Sequence, residues 1–276
     1  MTENFNGKTV IITGASSGIG KEASLLFAKK GANVVIAART LEKLEEVENV
    51  IKNTGANVLK VQTDVLKSAD IKNLIKKALD TFGSIDILVN NAGYSSQGDF
   101  ENVDLKELEQ TIDVNLKAPV RLIKHALPHI KKSPAGRIIN VASILGIIPI
   151  PKEAVYSSTK FALRGFSYAL AEELQNTRVK VCLICPGPVD TPFIMDSIDK
   201  LHDLVFSPPM STPKEIAELI IKSAIDGKME RIKPVHTGVL AKIGFLLPPV
   251  ASLIKPIMIM IGAKRKKQYM QKKSNP

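Results

Sequence analysis

Short runs rich in valine and isoleucine alternate along this chain with longer segments of helical periodicity. The runs predicted to be buried strands are Lys8–Thr13, Asn33–Ala37, Asn57–Thr63, Ile85–Asn90, Arg137–Val141 and Val179–Cys185. The predicted helices lie near 18–30, 41–53, 67–82, 104–132, 153–177 and 213–226. Nearly continuous apolar strands separated by helices indicate a parallel sheet that is covered on both faces.

The pattern predicts an α/β fold with a single, Rossmann-type doubly wound parallel sheet. At 276 residues the chain is long enough for one large domain, which we place at 1–235. Residues 236–276 form a C-terminal extension that is first apolar and then basic. Its longest uncharged part, Ile243–Ile254, has 12 residues, whereas a helix needs about 20 to span a bilayer.

Charge is concentrated at the C-terminal end. The net charge is +11, and six cations with no acid among them lie near the end, so residues 1–263 carry 11 − 6 = +5. The six cations are Lys264, Arg265, Lys266, Lys267, Lys272 and Lys273. Such a terminus predicts contact with an anionic surface. The N-terminal residues do not resemble a secretory signal, and only two cysteines are present, which predicts a cytoplasmic protein, with peripheral membrane attachment left open.

A glycine-rich turn follows the first strand, with the sequence Thr13-Gly14-Ala15-Ser16-Ser17-Gly18-Ile19-Gly20. Glycines let the backbone turn sharply and approach a pyrophosphate, and the helix start offers free N–H groups and a favourable dipole. A tight turn without any ligand is the alternative. The position directly after a buried strand favours the nucleotide interpretation.

The second strand ends at Ala37-Ala38-Arg39-Thr40, without an acidic residue before Glu42. An acid there would bind the ribose 2′-hydroxyl of NAD, whereas Arg39 is suited to the 2′-phosphate of NADP. We therefore expect NADP rather than NAD, the alternative being that Arg39 is only a solvated charge. Further along, Asp64 and Val65 end the third strand next to the expected adenine, and Asn90-Asn91-Ala92-Gly93 ends the fourth.

Three residues can move a proton to or from a carbonyl oxygen. A tyrosine with a pKa near 10 is a poor acid–base group at neutral pH. Tyr156 and Lys160 are four residues apart, so on a helix the ammonium lies one turn from the phenol and favours the phenolate. Ser143, at the end of the fifth strand, can hydrogen-bond the substrate oxygen. With the glycine turn, these residues predict hydride transfer between a nicotinamide cofactor and a carbonyl or alcohol.

Over roughly residues 5–235 the chain resembles the short-chain dehydrogenase/reductase family. The matching motifs are Thr13–Gly20, Asn90–Gly93, Asn115, Ser143, Tyr156-x-x-x-Lys160 and Pro186-Gly187 followed by Thr191. The resemblance implies that Tyr156 is the general acid/base, that Ser143 orients the carbonyl, and that Lys160 binds the nicotinamide ribose and lowers the pKa of the tyrosine. It implies that Asn115 holds a proton-relay water. The implied cofactor-binding residues are Gly14, Ser16, Ser17, Gly18, Ile19, Gly20, Arg39, Asp64, Val65, Asn91, Ala92, Gly93, Tyr156, Lys160, Pro186, Gly187, Val189 and Thr191.

Other suggestive pairs favour structural roles. His125 and His129 have zinc-like spacing, but Pro128 intervenes, so we expect no metal site. Cys182 and Cys185 lie three apart on a strand, which points them to opposite faces as buried thiols. Aromatic residues after Lys160, namely Phe161, Phe166 and Tyr168, are expected to pack or to contact another subunit. The family resemblance implies a homo-oligomer, a dimer or a tetramer.

Two apolar segments predict a lipophilic substrate. One is 144–151, and the other, after Thr191, contains Phe193, Ile194, Met195, Leu201, Leu204, Val205 and Phe206. In the family such segments flank the substrate, which here suggests a keto-lipid, steroid-like or retinoid-like carbonyl, or a long acyl chain. The alternative is that they close the core over a small ketone.

The extension has two interpretations. Apolar helices with a cationic flank suit an anionic membrane surface. Alternatively, the apolar part packs over the substrate mouth and the last dozen residues are disordered. Nucleic acid is not expected as a partner, because the basic run lacks interleaved stacking residues beyond Tyr269.

The sequence thus predicts an NADP-dependent oxidoreductase of a hydrophobic ketone or secondary alcohol. A 3-oxoacyl-carrier-protein reductase is a second possibility, since the basic surface would attract its acidic carrier. A cofactor-binding regulatory or scaffold protein without turnover is a third.

Overall fold

A computed structural model describes residues 4–274. Seven parallel strands form one sheet in the order β3-β2-β1-β4-β5-β6-β7. The strands are β1 Thr9–Thr13, β2 Asn33–Ala38, β3 Val58–Gln62, β4 Ile87–Asn90, β5 Arg137–Val141, β6 Lys180–Pro186 and β7 Glu230–Lys233. The strand order turns back between β1 and β4, which places the carboxyl ends of both strands at one crevice.

Helices cover both faces of the sheet. They are α1 Gly18–Lys29, α2 Leu41–Lys52, α3 Ser68–Phe82, α4 Leu105–Ile112, α5 Ala118–Ile130, α6 Ala154–Glu173, α7 Pro192–Met195, α8 Pro213–Asp226, α9 Val235–Leu246 and α10 Pro248–Ser274. Val10 and Ile12 of β1 pack in one buried layer with α1, α2 and α8, whereas Ile11 packs in the other with α3 and α5. This alternation follows from the two-residue period of a strand. The predicted α/β class and doubly wound sheet are confirmed.

The structure differs from the sequence expectations at several boundaries. The helix expected at 104–132 is divided by a π-helical turn, Asp113–Lys117. Strand β4 begins at Ile87 instead of Ile85, and β3 is one residue shorter at each end than predicted. The two cysteines follow the prediction. Cys182 and Cys185 are free and buried, and they pack in different apolar clusters.

Strand β7 was not predicted, because its sequence Glu-Arg-Ile-Lys is mostly charged. Each charge has a partner: Glu230 binds Arg164 and Lys242, and Arg231 binds Asp226. Lys233 lies 2.9 Å from Glu215. Ion pairing therefore lets a charged segment take the edge position beside β6.

The extension forms two helices, α9 and α10, which pack on each other; α10 also packs on the segment that follows α7, and α9 packs on β7. Disorder of the last dozen residues, one of the two alternatives above, is wrong as far as Ser274, where α10 ends. Among the described residues, no helix combines the length and apolarity required to cross a bilayer.

Candidate active site

A deep cleft of about 710 Å³ opens at the carboxyl ends of the strands. Every predicted site residue lines it except Gly20 and Asn115, which lie just behind the surface. One end is formed by the glycine turn and the ends of β2 and β3, and the other by apolar side chains. Ser143, Tyr156 and Lys160, which the sequence predicts to be catalytic, lie along the same cleft.

The glycine turn requires its glycines at defined positions. Gly14 and Gly18 have φ values of +64° and +52°, which favour glycine. A Cβ on Gly20 would overlap the Gly14 carbonyl oxygen, and one on Gly18 would lie 2.8 Å from a methyl group of Thr191. The turn is thus too tight for side chains at these points, and its backbone forms the floor of the cleft.

Asn91 and Thr13 hold the glycine turn against the end of β4. The Thr13 hydroxyl accepts hydrogen bonds from the N–H groups of Asn91 and Ala92, each at 3.1 Å. The Asn91 amide donates to the carbonyl oxygens of Thr13 and Gly14, at 3.0 and 3.2 Å. These bonds bring the turn so close to the chain after β4 that a Cβ on Gly14 would lie 2.9 Å from the Ala92 Cα.

The start of α1 is suited to an anion. Ser17 precedes the helix in an extended conformation, and among the described residues its hydroxyl makes no capping hydrogen bond. Gly18 and Ile19, in the first turn, line the cleft, so N–H groups without helical partners lie beside open space. Together with the tight glycine turn, this donor set fits a dinucleotide pyrophosphate.

Arg39 is exposed at the end of β2 and lines the same end of the cleft. Its backbone oxygen accepts a hydrogen bond from Gln62 at 2.9 Å, and no carboxylate of the described residues forms an ion pair with its guanidinium. Asp64, next to it, is held by a turn in which its carboxylate accepts from the Leu66 N–H at 3.0 Å. Arg39 is therefore an available cation at the end of the cleft where the sequence predicts the adenosine.

The predicted catalytic residues come from α6 and from the turn that follows β5. Lys160 is buried, and its ammonium donates to the Val141 carbonyl at 3.1 Å and lies 5.4 Å from the centre of the Tyr156 ring. Ser143 begins a short 3-10 turn, and its hydroxyl accepts from the Leu145 N–H at 3.1 Å. Residues that are separated in the sequence, namely Ser143, Tyr156 and Lys160, therefore lie in one cluster around the phenol.

Gly146 allows the serine turn to approach α6. A Cβ at this position would lie 2.7 Å from the Lys160 carbonyl oxygen. This close contact fixes the distance between the turn that carries Ser143 and the helix that carries Tyr156. Any larger residue would separate the two halves of the catalytic set.

The local environment shifts the pKa values of this set. Burial raises the pKa of Tyr156, the charge of Glu153 raises it further, and the facing Ser143 hydroxyl lowers it. Burial lowers the pKa of Lys160 to about 8. The phenol is therefore protonated and the amine still cationic at neutral pH. The expected lowering of the Tyr156 pKa by Lys160 is not seen in this structure, where burial raises the pKa of the phenol instead.

Asn115 lies in the π-helical turn and is almost fully buried. Its side chain accepts from the Tyr94 N–H at 2.9 Å and donates to the Tyr94 carbonyl at 2.7 Å and to the Thr159 hydroxyl at 3.3 Å. Asn115 thus ties the chain after β4 to α6, next to Lys160. Its predicted role in holding a water remains a prediction.

The stretch after β6 is fixed over the centre of the cleft. The Gly187 N–H donates to the Lys233 carbonyl at 2.7 Å, and Val189 forms a parallel bridge with Ser211. The Thr191 hydroxyl donates to the Val189 carbonyl at 3.2 Å. With Pro186, these residues line the cleft between the glycine turn and Tyr156, where the sequence predicts the nicotinamide.

Glu153 and Ser95 are cleft residues that the sequence analysis missed. Glu153 is 3% exposed and accepts a hydrogen bond from the Ser95 hydroxyl at 2.7 Å. Burial raises the pKa of this carboxyl to about 7. The only sequence signal is an acid three residues before Tyr156, and charged residues are common at helix starts.

The far end of the cleft is apolar. Both segments predicted to flank the substrate contribute lining residues, and Phe193 lies 6.1 Å from the Tyr156 ring, centre to centre. The C-terminal helices complete this wall, which the sequence left open. Their lining residues are Thr237, Leu240, Ala241, Gly244, Phe245, Pro248, Ala251, Ser252, Ile254, Lys255 and Met258.

Comparisons with known proteins agree with this geometry. The family model described as short chain dehydrogenase matches residues 8–201. An uncharacterized oxidoreductase of Thermotoga maritima is 37% identical over 233 residues, which cover 81% of this chain and 92% of that protein. The ketoacyl reductase HetN of a Nostoc species is 34% identical over 220 residues, covering 79% of this chain and 76% of HetN.

A solved structure shows the same fold. A short chain dehydrogenase/reductase from Burkholderia phymatum, determined in complex with NAD, superposes with a TM-score of 0.81. The match covers 90% of this chain and 96% of that one, at 22% sequence identity.

Proposed function

Because this chain belongs to the short-chain dehydrogenase/reductase family and is an NAD(P)-dependent oxidoreductase of carbonyl or alcohol groups, we propose that it transfers a hydride between NADPH and a lipophilic ketone. The observation that carries this proposal is the position of the Tyr156 phenol. It lies between a glycine turn suited to a dinucleotide and a wall of apolar side chains.

The chain's own residues supply the proton and the orientation. The Tyr156 phenol is protonated at neutral pH, so in reduction it donates its proton to the carbonyl oxygen. The Ser143 hydroxyl would hydrogen-bond that oxygen, and the Lys160 ammonium, which donates to the Val141 carbonyl, would bind the nicotinamide ribose. When bound, the reduced nicotinamide supplies the hydride. In alcohol oxidation the proton moves in the opposite direction.

Arg39 supports the choice of NADP. It is an unpaired cation among the described residues at the adenosine end, and a 2′-phosphate would give it a charge-assisted hydrogen bond. Arg39→Ala is expected to weaken NADPH binding roughly 10- to 100-fold, as the loss of about 1.5–3 kcal/mol implies. NADH binding should change little, as measured by fluorescence titration of both cofactors.

Lys43→Ala is the matched control, because Lys43 is an exposed cation four residues further along that does not line the cleft. It should leave both affinities as they are. Equal weakening of NADPH and NADH by Arg39→Ala would contradict the 2′-phosphate assignment.

Tyr156→Phe tests the reaction itself. Cofactor oxidation is followed with ketones graded by chain length, and longer apolar ketones should give the higher kcat/KM. The variant should lose about 100-fold or more of kcat while it still binds NADPH. Tyr168→Phe is the control, because Tyr168 lies on the same helix but is 39% exposed and stacks on Arg164.

A different result would overturn the proposal. If the protein binds NADPH but oxidises it with no ketone, and Tyr156→Phe behaves identically, a regulatory or scaffold role without turnover is the better explanation. A preference for small ketones would instead contradict the proposed lipophilic substrate, while the proposed reaction class would still hold.

A 3-oxoacyl reductase is the second candidate, favoured by the similarity to the ketoacyl reductase HetN. An acyl chain would suit the apolar wall, and the net charge of +11 would attract an acidic carrier. Activity on carrier-bound 3-oxoacyl chains without activity on free ketones would decide for it.

Assembly and location are parts of the same proposal. Exposed apolar residues on α4 and α5, including Leu105 and Val120, support a homo-oligomer, whereas Phe161 packs within the chain against Phe245 at 5.4 Å between ring centres. A cytoplasmic location and a boundary near residue 235 remain predictions.

A further inference from the structure

The C-terminal helices expose an unusual amount of apolar surface. Within residues 4–274, twenty large apolar side chains are exposed, and thirteen of them lie between Val235 and Met270. Leu246, Leu253 and Met260 are 76%, 79% and 67% exposed. Soluble proteins rarely leave so many apolar side chains together, and such patches mark interaction sites. We therefore expect this surface to bind a partner.

Helix α10 presents one continuous outer stripe that changes character along its length. Leu253, Ile257 and Met260 follow helical spacing on the side away from the cleft, which Ile254 and Met258 line instead. The same spacing continues through Lys264 and Lys267, which are also exposed. The stripe is thus apolar over its first turns and cationic over the following ones.

The opposite face of α10 binds the protein. Lys266 donates to the Leu201 carbonyl at 2.6 Å and to the Asp199 carbonyl at 3.1 Å, and Arg265 donates to the Ser207 carbonyl. Lys273 donates to the Met195 carbonyl at 2.6 Å. These cations are used internally. Lys264 and Lys267 have no ion-pair or hydrogen-bond partner within the described part of the chain and remain available.

The charge pattern selects the kind of partner. Residues 235–276 contain eight lysines and arginines and no aspartate or glutamate. A second copy of these helices placed on this face would offer no acidic side chain to the lysines. An anionic lipid surface instead buries the apolar turns at the acyl boundary and pairs the lysines with headgroups.

We infer that the outer face of α9 and α10, centred on Leu253, Ile257, Met260, Lys264 and Lys267, binds an anionic membrane surface without crossing it. The inner face of the same helices forms the apolar wall of the cleft. The membrane would therefore lie beside the site that the proposed function assigns to a lipophilic ketone. Only this supply of substrate rests on the proposed function; the docking itself does not.

Vesicle flotation of the full chain tests the inference. The protein should float with phosphatidylcholine vesicles that contain phosphatidylglycerol, bind phosphatidylcholine alone much more weakly, and release as salt is raised. Leu253→Glu with Ile257→Glu should reduce partitioning on the order of 100-fold, because two apolar insertions are lost. Lys264→Gln with Lys267→Gln should reduce it roughly 10-fold or more, and only on anionic vesicles.

Matched controls lie on α2. Val50→Glu replaces an apolar side chain that is 44% exposed, and Lys43→Gln removes an exposed cation. Both should float like the wild type. All variants alter exposed residues outside the cleft, so NADPH oxidation with a small water-soluble ketone should be unchanged.

Two outcomes would overturn the inference. One is wild-type protein that does not float with anionic vesicles, or a Leu253/Ile257 variant that floats equally well. The other is light scattering that shows this variant dissociating an oligomer, which would assign the face to a second copy. If the protein does not float but oxidises NADPH normally, only the inferred docking surface is contradicted. If it floats but shows no turnover, only the proposed function is contradicted.

Discussion

At the scale of single residues, Glu153 and Tyr156 form an electrostatic pair at the start of α6. Glu153 is buried with one hydrogen bond, from Ser95, and its charge raises the pKa of Tyr156. Its own pKa of about 7 means that it ionises near neutral pH. An ionised Glu153 keeps the phenol protonated, which is the form that donates a proton in ketone reduction.

Glu153→Gln should stabilise the protein, in a pH-dependent way. Because the folded pKa of about 7 lies above the ordinary value of 4.5, the folded state loses stability as pH rises from 4.5 to 7. Gln cannot ionise but can keep the bond to Ser95, so the variant should gain about 2–3 kcal/mol in unfolding free energy at pH 8. The gain should shrink to near zero at pH 4.5, measured by denaturant unfolding.

Glu101→Gln is the comparison, since Glu101 is an exposed carboxyl on the connection between β4 and α4. Its effect should be small at every pH. If Glu153→Gln gave a gain that did not vary with pH, the buried carboxyl would not be the cause.

At the scale of elements, α10 clamps the segment between α7 and α8. The Tyr269 hydroxyl accepts from the Met210 N–H at 3.2 Å, and its ring lies 6.1 Å from Phe206. Gly262 lets α10 approach the Asp203–Phe206 turn so closely that any Cβ would overlap the Asp203 carbonyl oxygen. The helix thus holds the segment that carries Leu201, Leu204 and Val205 against the substrate end of the cleft.

Lys266→Met should loosen this segment without unfolding the protein. Losing ammonium bonds to two carbonyls removes about 1.5–3 kcal/mol of local stabilisation. Hydrogen exchange of the amides at 197–207 should then accelerate roughly 10-fold or more, while strand amides keep their protection. Lys267→Met, one residue along on the exposed face, should leave these amides as they are. Equal acceleration in both variants would argue against the clamp.

At the scale of the whole molecule, the sequence predicted the parts governed by local pattern. The apolar strands β1 to β6 and the residues at their carboxyl ends were found because parallel strands deliver their ends to one edge. Strand β7 was missed because its stability depends on partners far along the chain, such as Arg164 and Glu215. Glu153 was missed because only packing reveals that its carboxyl is buried.

The C-terminal extension also shows that features which depend on contacts between distant segments cannot be predicted from local pattern. Composition indicated an apolar part and a basic part, but not that one helix would present a lining face and an outer face along its length. That separation depends on which side packs against residues 195–207, a contact between segments about 60 positions apart. Tertiary packing, rather than composition, decides which lysines bind carbonyls.

The apolar wall formed by α9 and α10 has a consequence for how such enzymes diversify. Under the proposed function, the groups that move the proton lie before residue 161, whereas a large part of the apolar wall lies after residue 234. Much of the selectivity would then be encoded in a different stretch of the chain from the chemistry. Exchanging the last forty or so residues for those of a relative would change which substrates the enzyme binds, while the residues that transfer the proton would stay the same.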